Sequence, residues 1–201
     1  MKRRNALKNI GLTTAFFTVT PSVISLLQSC TAETKTWIPD FFSKEEGVVL
    51  SNLVDVILPK TQDLPSASEL NIPQFIDKYA YEVFDEDMQA RYKSAFGNII
   101  ALLKPNASHT IEKVTSENYK TLLDKHLIIK GEIDEERKAN PETLALTKSE
   151  LLNDIKWMTI NAYKTSQYIG ENVLAYDPIP GAYYCGDLNE LTGGKSWSVY
   201  K

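Results

Sequence analysis

The apolar residues of this chain recur with a helical period, and that pattern constrains its fold more than any other feature. Eight residues form two stripes along the clearest predicted helix: Leu151, Ile155, Met158, Ala162 and Ile169 on one side, and Trp157, Ile160 and Tyr168 on the other. A helix that is apolar on more than one side is usually buried by its neighbours. No run of alternating residues predicts a strand. The sequence therefore predicts an all-α fold in which about five helices pack irregularly around a long C-terminal helix.

Polar caps and prolines mark the ends of the predicted helices. Two capping boxes, Ser43 with Glu46 and Thr147 with Glu150, begin the first helix and the last, which is expected to extend to about residue 175. Pro59 ends the first helix because proline has no backbone N–H to donate. The intervening helices are predicted to begin near Pro73, Asp87 and Thr115 or Ser116, before a charged, solvated connection at residues 130–142. The second helix carries its apolar face on Ile76, Tyr79, Ala80 and Val83.

The first 29 residues have the organisation of an export signal. A basic start that includes Arg3 and Arg4 precedes a mostly apolar stretch, which is too short and too rich in hydroxyl groups for a membrane-spanning helix. The Arg3-Arg4 pair resembles a twin-arginine signal, which serves cargo that is exported already folded, although Ala6 stands where phenylalanine is usual. The alternative is an ordinary secretory signal with a paired basic start. Either signal predicts an exported protein.

Cys30 follows the signal in a segment, Leu27-Gln28-Ser29-Cys30, that resembles a lipobox. In a lipobox the cysteine is lipidated on sulfur and becomes the new N-terminus. The expected location is therefore the periplasmic side of a membrane, with the lipid on Cys30 as the anchor. The sequence predicts three parts: an export signal at residues 1–29, a tether at 30–42 and a single helical domain at 43–201.

Cleavage of the signal changes the charge of the chain. The signal carries four of the 22 Lys and Arg residues and none of the 26 Asp and Glu residues, which leaves a mature chain with a net charge of −8. Such a chain repels the phosphate backbone of nucleic acids, so we expect no nucleic-acid partner.

Residues that carry chemistry are scarce. His109 and His126 lie in different predicted segments, and neither histidine belongs to a cluster with metal-ligand spacing. His126 lies on an apolar helical face and is expected to be a core histidine. Cys185 has no nearby base and is interpreted as a packed small hydrophobic residue rather than a reactive thiol. No glycine pattern of a dinucleotide-binding site is present. The sequence therefore predicts no catalytic, cofactor-binding or metal site in this chain.

The final 26 residues, 176–201, differ in kind from the helices because they combine prolines, glycines and aromatic residues. An irregular segment of this length is usually functional or disordered, and its five aromatic residues argue against disorder. Two interpretations stay open: the tail covers the helical core, or it presents aromatic anchors to a partner. The predicted partner interface consists of Ile179, Pro180, Tyr183, Tyr184 and Trp197.

Four segments punctuated by proline and glycine carry a resemblance to a known family: VILPKT at 56–61, NIPQFID at 71–77, PIPGAY at 178–183 and GGKSW at 193–197. The chain resembles the small (gamma) subunit, or subunit 3, of membrane-associated gluconate 2-dehydrogenase. The resemblance covers most of residues 45–200. The lipobox departs from the family's usual membrane arrangement, in which a cytochrome supplies the anchor.

The resemblance implies a non-catalytic accessory subunit rather than an enzyme. Its partner would be a large flavin-dependent dehydrogenase of the glucose–methanol–choline type, which holds the FAD and acts on a sugar or sugar acid. A cytochrome c with its haem would accept the electrons, and the twin-arginine signal would export the folded partner. The alternative function is a free-standing helical envelope lipoprotein that binds a small ligand or acts as a scaffold.

Overall fold

The computed structural model describes residues 37–104, 110–128, 132–177 and 185–198. The chain divides between residues 37 and 38, and all the helices named below belong to the second unit, residues 38–201. The helices are α1 (Lys44–Ile57), α2 (Ile72–Val83), α3 (Glu86–Leu103), α4 (Ser116–His126), α5 (Glu135–Ala139), α6 (Lys148–Thr165) and α7 (Leu188–Thr192). Within the described ranges there is no β-strand, only an isolated bridge between Ala175 and Trp197. The prediction of an all-α fold is confirmed.

Helices α1 and α6 form the centre of the domain. Helix α6 packs against α1, α2, α3 and α4, and α1 also packs against α2, α3 and α4. The predicted central role of the last long helix is correct, and α1 shares it. The largest fully buried side chains are Tyr119, Phe96, Leu50, Leu53, Ile76, Ile99, Ile111, Leu151, Leu152 and Ile155. Each contributes about 1.5–3 kcal/mol relative to an exposed position, so this shared core holds the helices together.

Both predicted capping boxes form. The Ser43 hydroxyl accepts a hydrogen bond from the backbone N–H of Glu46 at 3.2 Å, and the Glu46 carboxylate accepts one from the Ser43 N–H at 2.7 Å. Thr147 and Glu150 make the equivalent pair at 3.1 and 3.0 Å. Two of the N–H groups that a helix start leaves without partners are thereby satisfied in each case. The first helix ends at Ile57, two residues before Pro59.

Helix α6 ends at Thr165, ten residues earlier than the sequence predicts. Ser166 adopts an extended backbone conformation, and its hydroxyl donates to the Tyr163 carbonyl at 2.7 Å. The Thr165 hydroxyl donates to the Asn161 carbonyl at 2.9 Å. Neighbouring hydroxyl groups that bond to backbone carbonyls compete with helix propagation. The chain then continues as a π-helical turn, Ile169–Val173.

The connection before α6 is more ordered than its charged composition indicates. It contains the short helix α5, and the Asp134 carboxylate caps this helix by accepting from the N–H groups of Glu136 and Arg137. Arg137 then donates to both carboxylate oxygens of Glu150, at 2.8 and 2.6 Å. Most described residues of this connection are exposed, as predicted, and the fork of hydrogen bonds also ties the segment to the start of α6.

The described end of the tail packs beside the residues that follow α6. The Ala175 N–H donates to the Ser196 carbonyl at 2.9 Å, and the Ser198 N–H donates to the Ala175 carbonyl at 2.8 Å. Trp197, which lies between Ser196 and Ser198 in the chain, is half-buried. Cys185 is exposed, so its interpretation as a packed hydrophobic residue is wrong.

Candidate partner-binding surface

One of the two apolar stripes predicted for the last helix is not covered by other helices. The side chain of Trp157 is 64% exposed, and those of Ile160 and Tyr168 are 38% and 46% exposed. The prediction that both stripes are buried is therefore wrong for this second stripe. The stripe containing Leu151 and Ile155 faces the core as expected. Helix α6 is thus central on one side and presents aromatic surface on the other.

Helix α2 adds aromatic rings to the same region. Phe75 stacks on Tyr79 with ring centroids 6.2 Å apart, and Tyr79 meets Phe84 edge-on at 5.7 Å. The predicted apolar face of α2 is correct for Ile76 and Ala80, which are buried, and wrong for Tyr79 and Val83, which are exposed. The helix turns Ile76 and Ala80 inward and its rings outward.

A pocket of about 180 Å³ joins the rings of α2 to Trp157 of α6. It is lined by Tyr79, Phe84, Met88, Tyr92, Asp154, Trp157 and Met158. We call Phe75, Tyr79, Phe84 and Trp157 the aromatic face. Sequence reasoning missed this surface. The signal that points to it is the i, i+4 spacing of Phe75 and Tyr79 beside the second stripe of α6.

A carboxylate lies at the edge of this pocket. The hydroxyl of Tyr92, a residue that is only 2% exposed, donates to Asp154 Oδ2 at 2.9 Å. Burial raises the pKa of Tyr92, and the Asp154 charge raises it further, so the phenol stays a donor. Burial also raises the pKa of Asp154, with the Tyr92 hydrogen bond acting in the opposite direction. Among the described residues, Tyr92 is the one hydrogen-bond partner of this carboxylate.

Four acidic residues lie close to Phe84 of the aromatic face in the chain. Glu82, Asp85, Glu86 and Asp87 are exposed on either side of Phe84. Asp85 caps α3 by accepting from the Met88 N–H at 2.8 Å, as expected for a carboxylate at a helix start. None of these four carboxylates forms an ion pair with another described residue. Carboxylates unpaired among the described residues therefore lie near Phe84 of the aromatic face.

A second cavity, of about 440 Å³, lies between the end of α3 and α4. Its lining includes His126, Lys113 and Lys125. Burial lowers the pKa of His126, and the nearby charges of Lys125 and Lys148 lower it further. His126 is half-buried at this cavity, so its interpretation as a core histidine is wrong.

Most of the predicted site residues lie outside the described residues. They are Arg3 and Arg4 of the signal, Cys30, and Ile179, Pro180, Tyr183 and Tyr184 of the tail. Of the predicted tail interface, the structure places only Trp197, which is half-buried beside Ala175. The tail interface thus stays a prediction.

The described part of the chain contains neither a candidate metal centre nor a candidate membrane span. Residues 37–104, 110–128, 132–177 and 185–198 contain no group of three His, Cys, Asp or Glu side chains arranged to hold a metal ion. Over the same ranges, none of the helices combines the length and hydropathy that crossing a bilayer requires.

Exposed clusters of large aromatic side chains are frequent at protein–protein interfaces. The chain matches gluconate 2-dehydrogenase subunit 3 over residues 44–181, which is more than half of its length. It belongs to the gluconate 2-dehydrogenase subunit 3 family. The family name implies a small subunit that associates with other subunits of a dehydrogenase complex. No curated protein and no solved structure matches this chain.

Proposed function

We propose that this chain is a non-catalytic small subunit that binds and stabilises a flavin-dependent dehydrogenase of the glucose–methanol–choline type, acting on a sugar or sugar acid. The proposal is supported by the exposed aromatic face of this chain, which belongs to a family whose name describes a subunit of a dehydrogenase. Tyrosine and tryptophan dominate the residues whose truncation weakens protein interfaces. In this division of labour the FAD belongs to the large partner, and the haem to a cytochrome c if one is present.

Export of the partner is the second part of the proposed function. A flavin-loaded enzyme has to cross the membrane already folded, and Arg3-Arg4 supplies a signal of the twin-arginine kind. The Arg3→Lys/Arg4→Lys variant is expected to leave both this chain and its flavin-bearing partner in the cytoplasm. Cell fractionation followed by flavin absorbance measures how the two chains are distributed between cytoplasm and periplasm. Lys8→Arg is the control, because it leaves Arg3 and Arg4 unchanged. Normal export of the double variant would show that an ordinary secretory signal is used.

Lipid on Cys30 is the proposed membrane anchor. Each buried methylene contributes about 0.8 kcal/mol, so several acyl chains anchor a protein firmly where one does not. The intact mass of the purified protein tests the proposal. A mass that begins at Cys30 and includes the lipid supports it, whereas an unmodified cysteine overturns it.

A free-standing ligand-binding lipoprotein is the second candidate function. The cavity beside His126 favours it, because about 440 Å³ lies within the range of about 300–1,000 Å³ that small-molecule sites occupy. Native mass spectrometry distinguishes the ligand-binding lipoprotein from the dehydrogenase subunit. A small molecule retained by the chain in the absence of any partner would support this candidate. A flavin-bearing chain retained instead supports the subunit.

A further inference from the structure

We propose that the pocket of the aromatic face binds one arginine side chain of the partner dehydrogenase subunit. This inference rests on the proposed function and identifies the chemistry by which the partner is recognised. The observation behind it is that one small pocket is lined by the rings of Tyr79, Phe84 and Trp157 and also by the carboxylate of Asp154.

The size of the pocket fits a single side chain. Its volume is about 180 Å³, below the roughly 300 Å³ at which small-molecule and cofactor sites begin. Met88 and Met158 contribute flexible apolar surface, which suits the methylene stem of a long cationic side chain. A flavin requires more enclosed space than this pocket offers.

The chemistry of the lining favours a guanidinium group. Tryptophan and tyrosine rings attract cations over their faces, and a planar guanidinium also stacks on them. A carboxylate accepts two parallel N–H bonds from arginine, which lysine cannot donate in that geometry. Trp157 supplies an exposed ring and Asp154 an exposed carboxylate at the same pocket.

The Tyr92 hydroxyl orients the carboxylate for this contact. Tyr92 donates to Asp154 Oδ2 from a buried position, which fixes the orientation of the carboxylate. Oδ1 has no hydrogen-bond partner among the described residues, and Oδ2 keeps a second lone pair, so both oxygens can accept from a guanidinium group. Tyr92 is therefore a positioning residue, and Asp154 is the residue that contacts the partner.

Charge complementarity supports a cationic occupant. The exposed carboxylates of Glu82, Asp85, Glu86 and Asp87 add negative potential around Phe84 without forming ion pairs among the described residues. None of the cationic residues on the same three helices lines the pocket; they are Lys78, Arg91, Lys93, Lys148, Lys156 and Lys164. A basic side chain from the partner is therefore attracted to this surface, and Asp154 is the charged residue that it meets in the pocket lining.

The test removes the charge of Asp154 and keeps its shape. In Asp154→Asn the amide oxygen still accepts from Tyr92, so the fold is preserved. We expect the dissociation constant for the purified flavin-bearing partner to rise about 30-fold, equivalent to about 2 kcal/mol. Asp124→Asn, at an exposed carboxylate of α4 outside the pocket, is the matched control and is expected to change the constant less than threefold.

The outcomes separate this inference from the function on which it rests. If the wild-type chain binds the flavin-bearing partner and Asp154→Asn binds it equally tightly, the arginine pocket is overturned while the subunit function stands. Equal weakening by Asp154→Asn and Asp124→Asn would assign the effect to net charge and also overturn the pocket. If the wild-type full chain retains no flavin-bearing chain, both proposals fail. Circular dichroism of each variant checks that its helices are intact.

Discussion

Asp77→Ala is expected to destabilise the domain by about 3–5 kcal/mol, because one buried carboxylate holds three backbone groups. Asp77 is 1% exposed, and it accepts from the N–H groups of Asp40, Phe41 and Phe42 at 2.7, 3.1 and 2.9 Å. Charge-assisted hydrogen bonds contribute about 1.5–3 kcal/mol each, and a buried N–H left without a partner adds a further cost. The alanine variant loses all three acceptor contacts at once.

The aromatic packing next to this carboxylate increases the expected effect. Phe42 is 4% exposed and lies 4.7 Å from the ring of Phe96, a fully buried residue of α3. Lys93 lies over the Phe41 ring at 4.6 Å and pairs with Glu46 at 2.7 Å. Release of the three N–H groups therefore also loosens contacts among α1, α2 and α3.

Thermal unfolding of the isolated full chain measures the effect of Asp77→Ala. For a domain of this size, each kcal/mol shifts the melting temperature by about 2–4 °C, so we expect a fall of about 10 °C. Asp77→Asn keeps one acceptor oxygen, so its melting temperature is expected to lie between those of the alanine variant and the wild type. Asp124→Ala, at an exposed position, serves as the control. A melting temperature of Asp77→Ala within 2 °C of the wild type would contradict the assigned role.

Trp157→Ala is expected to weaken the complex with the flavin-bearing partner by about 2 kcal/mol or more, and to leave the isolated subunit's melting temperature nearly unchanged. The side chain is 64% exposed, and substitutions at such positions usually change stability by less than about 0.5 kcal/mol. Ile133→Ala, which is equally exposed but lies before α5, is the matched control and is expected to change neither quantity.

The same binding assay compares the aromatic face with the tail. The tail prediction expects Trp197→Ala together with Tyr183→Ala to dissociate the complex. Trp197 is half-buried beside Ala175, so some loss of stability is expected in that variant. If the tail variant abolishes binding while Trp157→Ala has no effect, the tail and not the aromatic face is the main contact. If both weaken binding, the two surfaces contribute to one interface.

Local chemistry explains what the sequence predicts correctly. The capping boxes at Ser43 and Thr147 depend on residues three positions apart, so their geometry is determined within one helical turn. The all-α fold follows from apolar periodicity and from the lack of strand patterns. By contrast, the early end of α6 depends on where the hydroxyls of Thr165 and Ser166 find acceptors, and sequence spacing does not specify that.

Contacts between distant segments explain what the sequence does not predict. Asp77 bonds to backbone groups 35–37 residues away, and an isolated acidic residue on a helix gives no sign of such partners. Periodicity identifies both stripes of α6 but does not specify which one other helices cover. Exposure of Trp157 therefore becomes visible only when the packing of α2 and α3 is known. Tyr92 and Asp154 are likewise 62 residues apart.

Isolation of the intact complex tests the central claim most directly. The full chain, tagged at its C-terminus and expressed in its own organism, is extracted in mild detergent and purified under low salt. We expect a larger chain to co-purify in a fixed ratio, to carry bound flavin by its absorbance spectrum, and to oxidise a sugar or sugar acid. A tagged chain that purifies alone, without flavin or dehydrogenase activity, would contradict the account.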